Sequence, residues 1–202
     1  MVDPAQITGV VLAGGRGLRM GGVDKGLQLY QGIPLALHAL RRLQPQVGRT
    51  VINANRHADQ YAAFGVPVLA DEHPDYAGPL AGFASALRHC STPFLLTVPC
   101  DSPLFPPDLA TRLAVPLGQA DCDITVVVAP ESTPDRAASP RAQPVFCLMR
   151  TRVLPGLEAF MAGGGRKIDA WTAGQRTQHV HFTDARAFLN VNTLAELEAL
   201  RP

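Results

Sequence analysis

Residues 7–25 hold the feature that most constrains the fold: a short apolar run followed by a glycine-rich loop with cationic side chains. The run Ile7–Leu12 is typical of a buried strand. Five of the nine residues 14–22 are glycines. Glycine lets a backbone approach a ligand closely or adopt a positive φ. Arg16, Arg19 and Lys25 lie in the same stretch. A strand that ends in such a loop predicts a polyphosphate site at the strand's carboxyl end.

Two well-known phosphate motifs do not fit this loop. Gly17 and Gly22 have the glycine spacing of the P-loop G-x-x-x-x-G-K-[ST], but Val23 stands where the lysine is needed. Gly15 and Gly17 begin the dinucleotide fingerprint G-x-G-x-x-G, but Met20 occupies its third glycine position. The sequence does match L-A-G-G-x-x-x-R-M-G-x(1,2)-D-K, the loop of nucleotidyltransferases that act on NTPs. Only Lys25 and Lys167 are lysines among the 18 basic residues, so the amine at position 25 suggests phosphate chemistry.

Length and composition limit the remaining possibilities. A chain of 202 residues with 47% hydrophobic content predicts a single domain over residues 1–202. A net charge of +1 without a long basic run argues against a nucleic-acid partner. The sequence has neither a signal peptide nor an apolar run of membrane-spanning length, so we expect a cytoplasmic protein without a membrane partner. The cysteines form no C-x-x-C pair and are expected to be reduced: Cys90, Cys100, Cys122 and Cys147.

Apolar, β-branched segments alternate with helical patterns, which predicts a mostly parallel sheet with helices on both faces. The expected class is therefore α/β, and the resemblance of the glycine loop to that of nucleotidyltransferases implies a three-layer Rossmann-like nucleotidyltransferase fold. Strands are predicted at Ile7–Leu12, Thr50–Ala54, Val66–Ala70, Pro93–Val98, Asp123–Ala129, Val145–Met149 and Gln178–Phe182. Helices are predicted at Pro34–Gln44, His57–Phe64, Pro79–His89, Pro107–Val115, Thr151–Met161, Arg166–Thr172 and Thr193–Leu200.

Residues 130–144 differ from the rest of the chain. Their sequence, PESTPDRAASPRAQP, has four prolines and little apolar material. This composition predicts a mobile loop, which could act as a substrate lid. A linker between domains is the alternative. It is disfavoured because only about 58 residues follow, and so short a segment could hardly fold alone.

Polar groups follow each of the first four predicted strands. Open α/β sheets bind ligands beyond the carboxyl ends of their strands, and the groups there are the glycine loop, Asn53, Asp71 and Asp101. Asn53 and Asp71 supply the donor and acceptors that could recognise the edge of a base. Asp101 ends a strongly apolar strand, and Mg²⁺ prefers one or two carboxylates together with phosphate oxygens and waters. Asp101 is therefore a candidate Mg²⁺ ligand, with a helix N-cap as the alternative.

The chain resembles the molybdenum cofactor guanylyltransferase family along almost its whole length. The resemblance rests on the glycine loop with R-M-G-G-V-D-K, V-I-N-A-N-R at 51–56, Asp71, G-P-L-A-G at 78–82, P-C-D-S-P at 99–103 and F-L-N-V-N-T at 188–193. Two departures are Gly17, where small polar residues are common, and Gln143-Pro144, where His-Pro is expected. The role of Gln143 stays open.

The resemblance implies transfer of GMP from GTP to the terminal phosphate of molybdenum-molybdopterin cofactor, with Mg²⁺ as cofactor. It implies that GTP binds to Leu12, Ala13, Gly14, Gly15, Lys25, Asn53, Asp71 and Asp101. It implies that the same active-site surface includes further substrate-binding residues, with the two asparagines on the pterin side: Gly22, Gly78, Gly82, Asn190 and Asn192. Catalytic roles fall to Arg19, Lys25 and Asp101, and Asp101 is also the metal ligand.

Other interpretations make distinct predictions. A cytidylyltransferase for the same pterin usually has L-A-A-G, whereas this chain has Gly14-Gly15. A sugar-phosphate nucleotidyltransferase is a further alternative. A dinucleotide-dependent oxidoreductase would need the G-x-G-x-x-G fingerprint, and a GTP-binding regulator would need the P-loop. The sequence matches neither motif. We expect a monomer whose substrates are GTP and the pterin cofactor, with cofactor-delivery and molybdoenzyme-maturation proteins as further partners.

Overall fold

A computed structural model describes residues 2–14, 24–72, 78–119, 121–133 and 136–191 of the protein. The predicted helix Thr193–Leu200 and most of the glycine loop lie outside these residues. The described strands are β1 (Ile7–Leu12), β2 (Leu29–Tyr30), β3 (Ile33–Pro34), β4 (Arg49–Asn53), β5 (Val68–Leu69), β6 (Phe94–Pro99), β7 (Ile124–Thr133), β8 (Arg136–Arg150) and β9 (Thr177–His181). The described helices are α1 (Leu35–Leu43), α2 (Ala58–Ala62), α3 (Pro79–Arg88), α4 (Leu109–Gln119), α5 (Leu154–Ala162) and α6 (Ile168–Ala173).

Seven strands form one sheet in the order β5-β4-β1-β6-β8-β7-β9. Strands β5, β4, β1 and β6 pair in parallel, as do β7 and β9, while β8 is antiparallel to both β6 and β7. Strands β2 and β3 form a separate two-stranded sheet. The predicted mostly parallel α/β sheet is therefore confirmed, and the carboxyl ends of β5, β4, β1 and β6 meet at one edge.

Side-chain alternation along the strands divides the core into two apolar clusters. Val11 of β1 packs in a cluster with buried residues of α1 and α4, whereas its neighbour Val10 packs with those of α3, α5 and α6. Leu95 and Leu96 of β6 divide in the same way. Helices thus cover both faces of the sheet, and the buried strands leave their carboxyl ends as the place where polar groups can gather.

The described residues between 130 and 144 lie in strands, so the prediction of a mobile loop is wrong for them. Strands β7 and β8 continue as an antiparallel ladder, with Ala129 opposite Arg141, Pro130 opposite Pro140, and Arg136 opposite Thr133. Pairing of β7 with β9 ends at Val128, so this outer part is a two-stranded ribbon. Proline is tolerated there because each strand of a ribbon has an open edge that needs no amide donor.

The other boundaries differ by smaller amounts. Helix α4 begins two residues later than predicted and continues through Pro116, which was expected to lie beyond its end. Strand β5 is only two residues long. His179 and His181 both lie in β9, which corresponds to the predicted strand Gln178–Phe182. The described residues contain no group of three or more metal-ligating side chains, and none of the described helices has the length and apolar character that a membrane crossing requires.

Candidate active site

The carboxyl ends of β4 and β5 form a connected group of polar side chains. Asn53 donates from Nδ2 to Oδ1 of Asp71 at 2.8 Å, and Asn55 donates from Nδ2 to the other carboxylate oxygen at 2.7 Å. Oδ1 of Asn55 accepts the backbone N–H of Asp71 at 2.7 Å. The Asp71 carboxylate therefore fixes the orientation of both amides, and we refer to these three residues as the Asn53 group.

Two glycines leave the space that the Asn53 group needs. A Cβ at Gly82 would lie 2.5 Å from Oδ1 of Asn53 and 2.9 Å from Cδ2 of Leu12. A Cβ at Gly14 would lie 3.1 Å from the same Asn53 oxygen and 3.0 Å from Nδ2 of Asn55. Any side chain at position 82 would displace Asn53, so this glycine is explained by packing against the site.

Lys25 and Asp101 form a second group on the other side of β1. Nζ of Lys25 lies 3.1 Å from Oδ2 of Asp101, and the two side chains are 23% and 17% exposed. Charge-assisted N–H···O bonds are usually 2.7–2.9 Å long, so this pair is a loose one. Water and a ligand can therefore reach both charges.

Strand β1 holds the two groups side by side. Leu12 pairs with Asn53 of β4 on one side and with Pro99 of β6 on the other. The backbone N–H of Ala13 then donates to the Asn53 carbonyl at 2.8 Å, and that of Cys100 donates to the Leu12 carbonyl at 3.1 Å. One ligand that crosses the end of β1 could therefore contact both groups.

Two buried side chains, Asp24 and Tyr61, anchor the turn that carries Lys25. Asp24 caps the 3₁₀ turn Lys25–Leu27, and its Oδ1 accepts the Gly26 N–H at 3.1 Å. The same oxygen accepts the hydroxyl proton of Tyr61 at 2.6 Å. Burial, together with this hydrogen bond, raises the pKa of Tyr61 far above its usual value. The hydroxyl therefore stays a protonated donor at alkaline pH as well as at neutral pH.

The chain near residue 190 joins the Asp101 side of the site. The Ser102 hydroxyl donates to Oδ1 of Asn190 at 2.6 Å, and the Val191 N–H donates to the Asp101 carbonyl at 2.8 Å. Ser102 is fully buried whereas Asn190 is exposed. The structure therefore brings Asn190 next to Asp101.

Gly78 starts the helix that carries Gly82, and it is required for a different reason. Its φ is 128°, a conformation that other residues rarely adopt. An added Cβ would come no closer than 3.9 Å to the Arg166 carbonyl, so backbone conformation rather than space explains this glycine. The other predicted residues, Gly15, Arg19, Gly22 and Asn192, lie outside the described residues.

The donor set at Asp101 fits Mg²⁺. This ion takes one or two protein carboxylates and completes an octahedron with phosphate oxygens and waters. Asp101 is partly exposed at the sheet edge, and the described residues hold no ready-made cluster of three metal ligands. Such a site suits an ion that arrives with a phosphate substrate rather than one that the protein binds alone. The N-cap alternative is disfavoured because the next helix begins only at Leu109.

Sequence reasoning did not select Asn55, Asp24 or Tyr61 as site residues. Asn55 lies in the quoted N-A-N-R motif, and Asp24 lies next to Lys25, so position alone could have suggested both. Tyr61 is 37 residues from Asp24 in the sequence. No local pattern connects it to the site, and only the packing of α2 against the turn does so.

The fold and the paired groups at the end of β1 define a class of protein, the nucleotidyltransferases. The model of the MobA-like NTP transferase domain family matches residues 9–181. Molybdopterin-guanine dinucleotide biosynthesis protein A from Archaeoglobus fulgidus has a similar structure, with a TM-score of 0.74, 22% identity and 95% coverage of both chains. A CMP:2-keto-3-deoxy-manno-octonic acid synthetase complexed with CTP superposes with a TM-score of 0.71, covering 96% of this chain and 95% of that one, at 15% identity.

Closer relatives narrow the class. The molybdenum cofactor guanylyltransferase of Methylibium petroleiphilum is 59% identical over 200 residues, which cover 99% of this chain and 98% of the relative. That of Bordetella petrii is 56% identical, with 99% and 100% coverage. The chain belongs to the molybdenum cofactor guanylyltransferase family. Membership favours the guanylyl over the cytidylyl and sugar-phosphate interpretations.

Proposed function

We propose that this enzyme transfers GMP from GTP to the terminal phosphate of molybdenum-molybdopterin cofactor, giving the guanine dinucleotide cofactor and pyrophosphate. The observation that carries the proposal is the meeting of the Asn53 group and the Lys25–Asp101 pair at the end of β1. One group suits a base and the other suits phosphates, which is the separation that a nucleoside triphosphate requires.

The Asn53 group is proposed to bind guanine. Guanine offers O6 as an acceptor and an amino group at N2 as a donor. Carboxylate and amide side chains provide acceptors and donors of matching kinds, and Asp71 fixes the two amides in one orientation. A prearranged amide pair favours one base because the wrong base leaves a polar group without a partner.

Lys25 and Asp101 are proposed to act at the phosphates, with Arg19 as a further cation. The lysine amine would bind phosphate oxygens and neutralise the charge that develops on the departing pyrophosphate. Its loose pairing with Asp101 keeps the amine at the edge of the sheet without holding it tightly. Gly14, Leu12 and Ala13 would bring backbone close to the nucleotide.

The acceptor needs little help from a protein base. A phosphate monoester has a second pKa near 6 and is mostly a dianion at pH 7. Its oxygen would form a bond to the α-phosphorus of GTP while the bond from that phosphorus to the pyrophosphate oxygen breaks. The residues of this chain would then mainly position the two substrates and offset their charge.

Asp101, together with phosphate oxygens, is proposed to hold Mg²⁺. When bound, the ion would neutralise phosphate charge and hold the phosphate oxygens in place. Asn190, beside Asp101, is proposed to lie on the pterin side with Asn192, and Gly22 and Gly78 are proposed to belong to the same substrate-binding surface. The cytoplasmic location, the monomeric state, the single domain and partners for cofactor delivery stay predictions from the sequence.

A thermal-shift panel with GTP, CTP, ATP and UTP, each with Mg²⁺, tests the choice of nucleotide. A ligand at a hundredfold excess over its Kd stabilises the fold by about 2.7 kcal/mol. We expect the largest rise in Tm with GTP and a smaller GTP-to-CTP difference in Asp71→Asn. Asp184→Asn, which changes an exposed carboxylate near residue 186, is the matched control. A larger rise with CTP would contradict the guanylyl assignment.

A further inference from the structure

A buried hydroxyl reaches the turn that carries Lys25. Tyr61 of α2 is fully buried in the apolar cluster on the α1 and α4 face of the sheet, and its ring packs edge-on against Phe64 with centroids 5.8 Å apart. A phenylalanine would fill that space equally well. The hydroxyl donates to Asp24 at 2.6 Å, so this bond is what distinguishes tyrosine from phenylalanine here.

Asp24 transmits this contact to the backbone of the turn. A single carboxylate oxygen, Oδ1, accepts both the Tyr61 hydroxyl and the Gly26 N–H. Asp24 is only 8% exposed, and its carbonyl also accepts the Leu27 N–H at 3.3 Å. The residues on both sides of Lys25 are therefore fixed by one carboxylate, which Tyr61 holds in turn.

The turn also packs directly on the hydroxyl. A Cβ at Gly26 would lie 2.4 Å from the Tyr61 oxygen and 3.2 Å from the Ala36 Cβ. The backbone beside Lys25 therefore rests on the tyrosine, and the turn cannot settle further into the core or move away without breaking the Asp24 bonds. The backbone of Lys25 is therefore held in place, while the side-chain amine lies beside Asp101 at the carboxyl ends of the strands.

We infer that Tyr61 is a positioning residue for Lys25, acting through Asp24 and the 3₁₀ turn Lys25–Leu27. This inference rests on the proposed role of Lys25 at the phosphates. Tyr61 is fully buried, so its role would be to limit where the lysine amine can be found and not to contact a substrate. A displacement of about 1 Å in a catalytic group can cost up to a hundredfold in rate, so loss of one remote hydroxyl is expected to be visible in kcat.

A double-mutant cycle between Tyr61→Phe and Lys25→Ala tests the inference. The measurement is kcat for pyrophosphate release, with the melting temperature recorded for every variant. We expect Tyr61→Phe to lower kcat roughly tenfold when Lys25 is present and to have little further effect in the Lys25→Ala background. Contacting or linked residues show such non-additivity, whereas independent ones do not. An equal loss in both backgrounds, or no loss with Lys25 present, would overturn the inference.

Thr125→Val is the matched control for removal of a buried hydroxyl. Thr125 is fully buried and donates to the Leu113 carbonyl at 2.9 Å, away from the end of β1. This variant is expected to lower the melting temperature and leave kcat unchanged. A fall in kcat equal to that of Tyr61→Phe would show that general loss of stability, rather than positioning, explains both.

Substitution of Asp24 gives a second test that does not depend on the folding of Tyr61→Phe. Asn keeps an oxygen that can accept both hydrogen bonds, whereas Ala removes them. We expect Asp24→Asn to retain kcat within about threefold and Asp24→Ala to lose roughly tenfold or more. A large loss in Asp24→Asn would assign the effect to the charge of Asp24 and contradict the inference. All comparisons use whichever nucleotide the wild-type enzyme turns over, so an error in the proposed guanine specificity would be recognised separately.

Discussion

Two Cys-Asp dipeptides lie at opposite ends of the strands of the central sheet, and the protein holds their carboxylates in different ways. Cys100-Asp101 follows β6 at the carboxyl edge, and Cys122-Asp123 precedes β7 at the amino edge. Both thiols are buried, and both carboxylates are mostly covered, with side chains 17% and 11% exposed. The dipeptide is the same, and the two carboxylates differ in the groups that each one meets.

Asp123 is held by two arginines. Arg152 donates to Oδ1 from Nε at 2.7 Å and from a terminal nitrogen at 2.6 Å, and Arg176 donates in the same two-pronged way to Oδ2 at 2.8 and 2.7 Å. Arg176 also contacts Asp121. Each oxygen of Asp123 is fully used by the protein, and the short bonds to planar guanidinium groups fix its geometry.

Among the described residues, the Asp101 carboxylate has one ion-pair partner, Lys25, at the longer distance of 3.1 Å. An amine is a compact charge on a flexible stem, so it can leave one oxygen for another without a large rearrangement. The comparison suggests that a carboxylate with a structural role is saturated by protein donors, whereas one that works on a ligand keeps bonding capacity in reserve. Of the four predictions below, the first three test that difference, beginning with the largest expected effect, and the fourth tests the buried thiols beside the carboxylates.

Asp101→Asn should lower kcat on the order of a thousandfold, about 4 kcal/mol of transition-state stabilisation, because a neutral amide is a poor ligand for Mg²⁺. The fold should survive, since the substitution is nearly isosteric and the ion pair it removes is loose. Pyrophosphate release measured against Mg²⁺ concentration, beside the melting temperature, checks both parts. A folded variant with unchanged turnover and unchanged Mg²⁺ requirement would remove the metal role.

Lys25→Ala should lower kcat/KM roughly a hundredfold, as loss of one transition-state donor does. Lys25→Arg should recover only part of the activity, because a guanidinium cannot reproduce a point charge at the same place. Steady-state kinetics of pyrophosphate release provide the measurement. Lys167→Ala, which removes the other lysine from the start of α6, is the matched control and should be fully active. Full activity of Lys25→Ala would show that the Lys25–Asp101 pair does not act on the substrate, which would contradict the functional half of the comparison.

Asp123→Asn is the matched partner of Asp101→Asn and should show the reverse pattern. We expect a loss of about 2 kcal/mol in the free energy of unfolding; partial exposure of both arginines, 58% and 45%, keeps the loss below that of a fully buried ion pair. Turnover per folded molecule should be unchanged. Urea denaturation and kinetics on the same sample check this. If the variant were as stable as wild type, the hydrogen bonds from the two arginines would not indicate that a carboxylate has a structural role.

Alkaline pH should weaken the fold through its buried thiols. Burial raises the pKa of Cys100 well above its usual value, with a further contribution from Asp101, and raises that of Cys122 and of Cys147, the last to about 12. An unfolded thiol ionises near pH 8.5. Stability is therefore fully present below that pH and falls as pH rises toward the folded values, by about 1.4 kcal/mol per pH unit for each fully buried thiol.

Denaturation at pH 8 and pH 9.5 measures this fall, with Cys147→Ala as the variant that should reduce its slope. Cys147 is fully buried and distant in sequence from both dipeptides, so it isolates the effect of thiol burial from that of the neighbouring carboxylates. An unchanged slope in Cys147→Ala would show that other groups control the alkaline limit.

The sequence by itself determined the class of the fold and much of the candidate site. Every predicted strand has a counterpart in the sheet, because an apolar β-branched run flanked by turn residues is a local signal that does not depend on distant partners. The rule that parallel strands share a carboxyl edge was enough to group Asn53, Asp71 and Asp101.

Only the tertiary structure decided which distant groups meet. The ribbon that begins with the pair Ala129–Arg141 was missed because its prolines and polar residues suggest a loop, and the partner that makes it a ladder is the other half of the same hairpin. The roles of Asp71 in orienting two amides and of Tyr61 in anchoring the Lys25 turn depend on contacts across 16 to 37 residues of sequence. Local propensity carries no information about such contacts, because they form only when whole elements pack together.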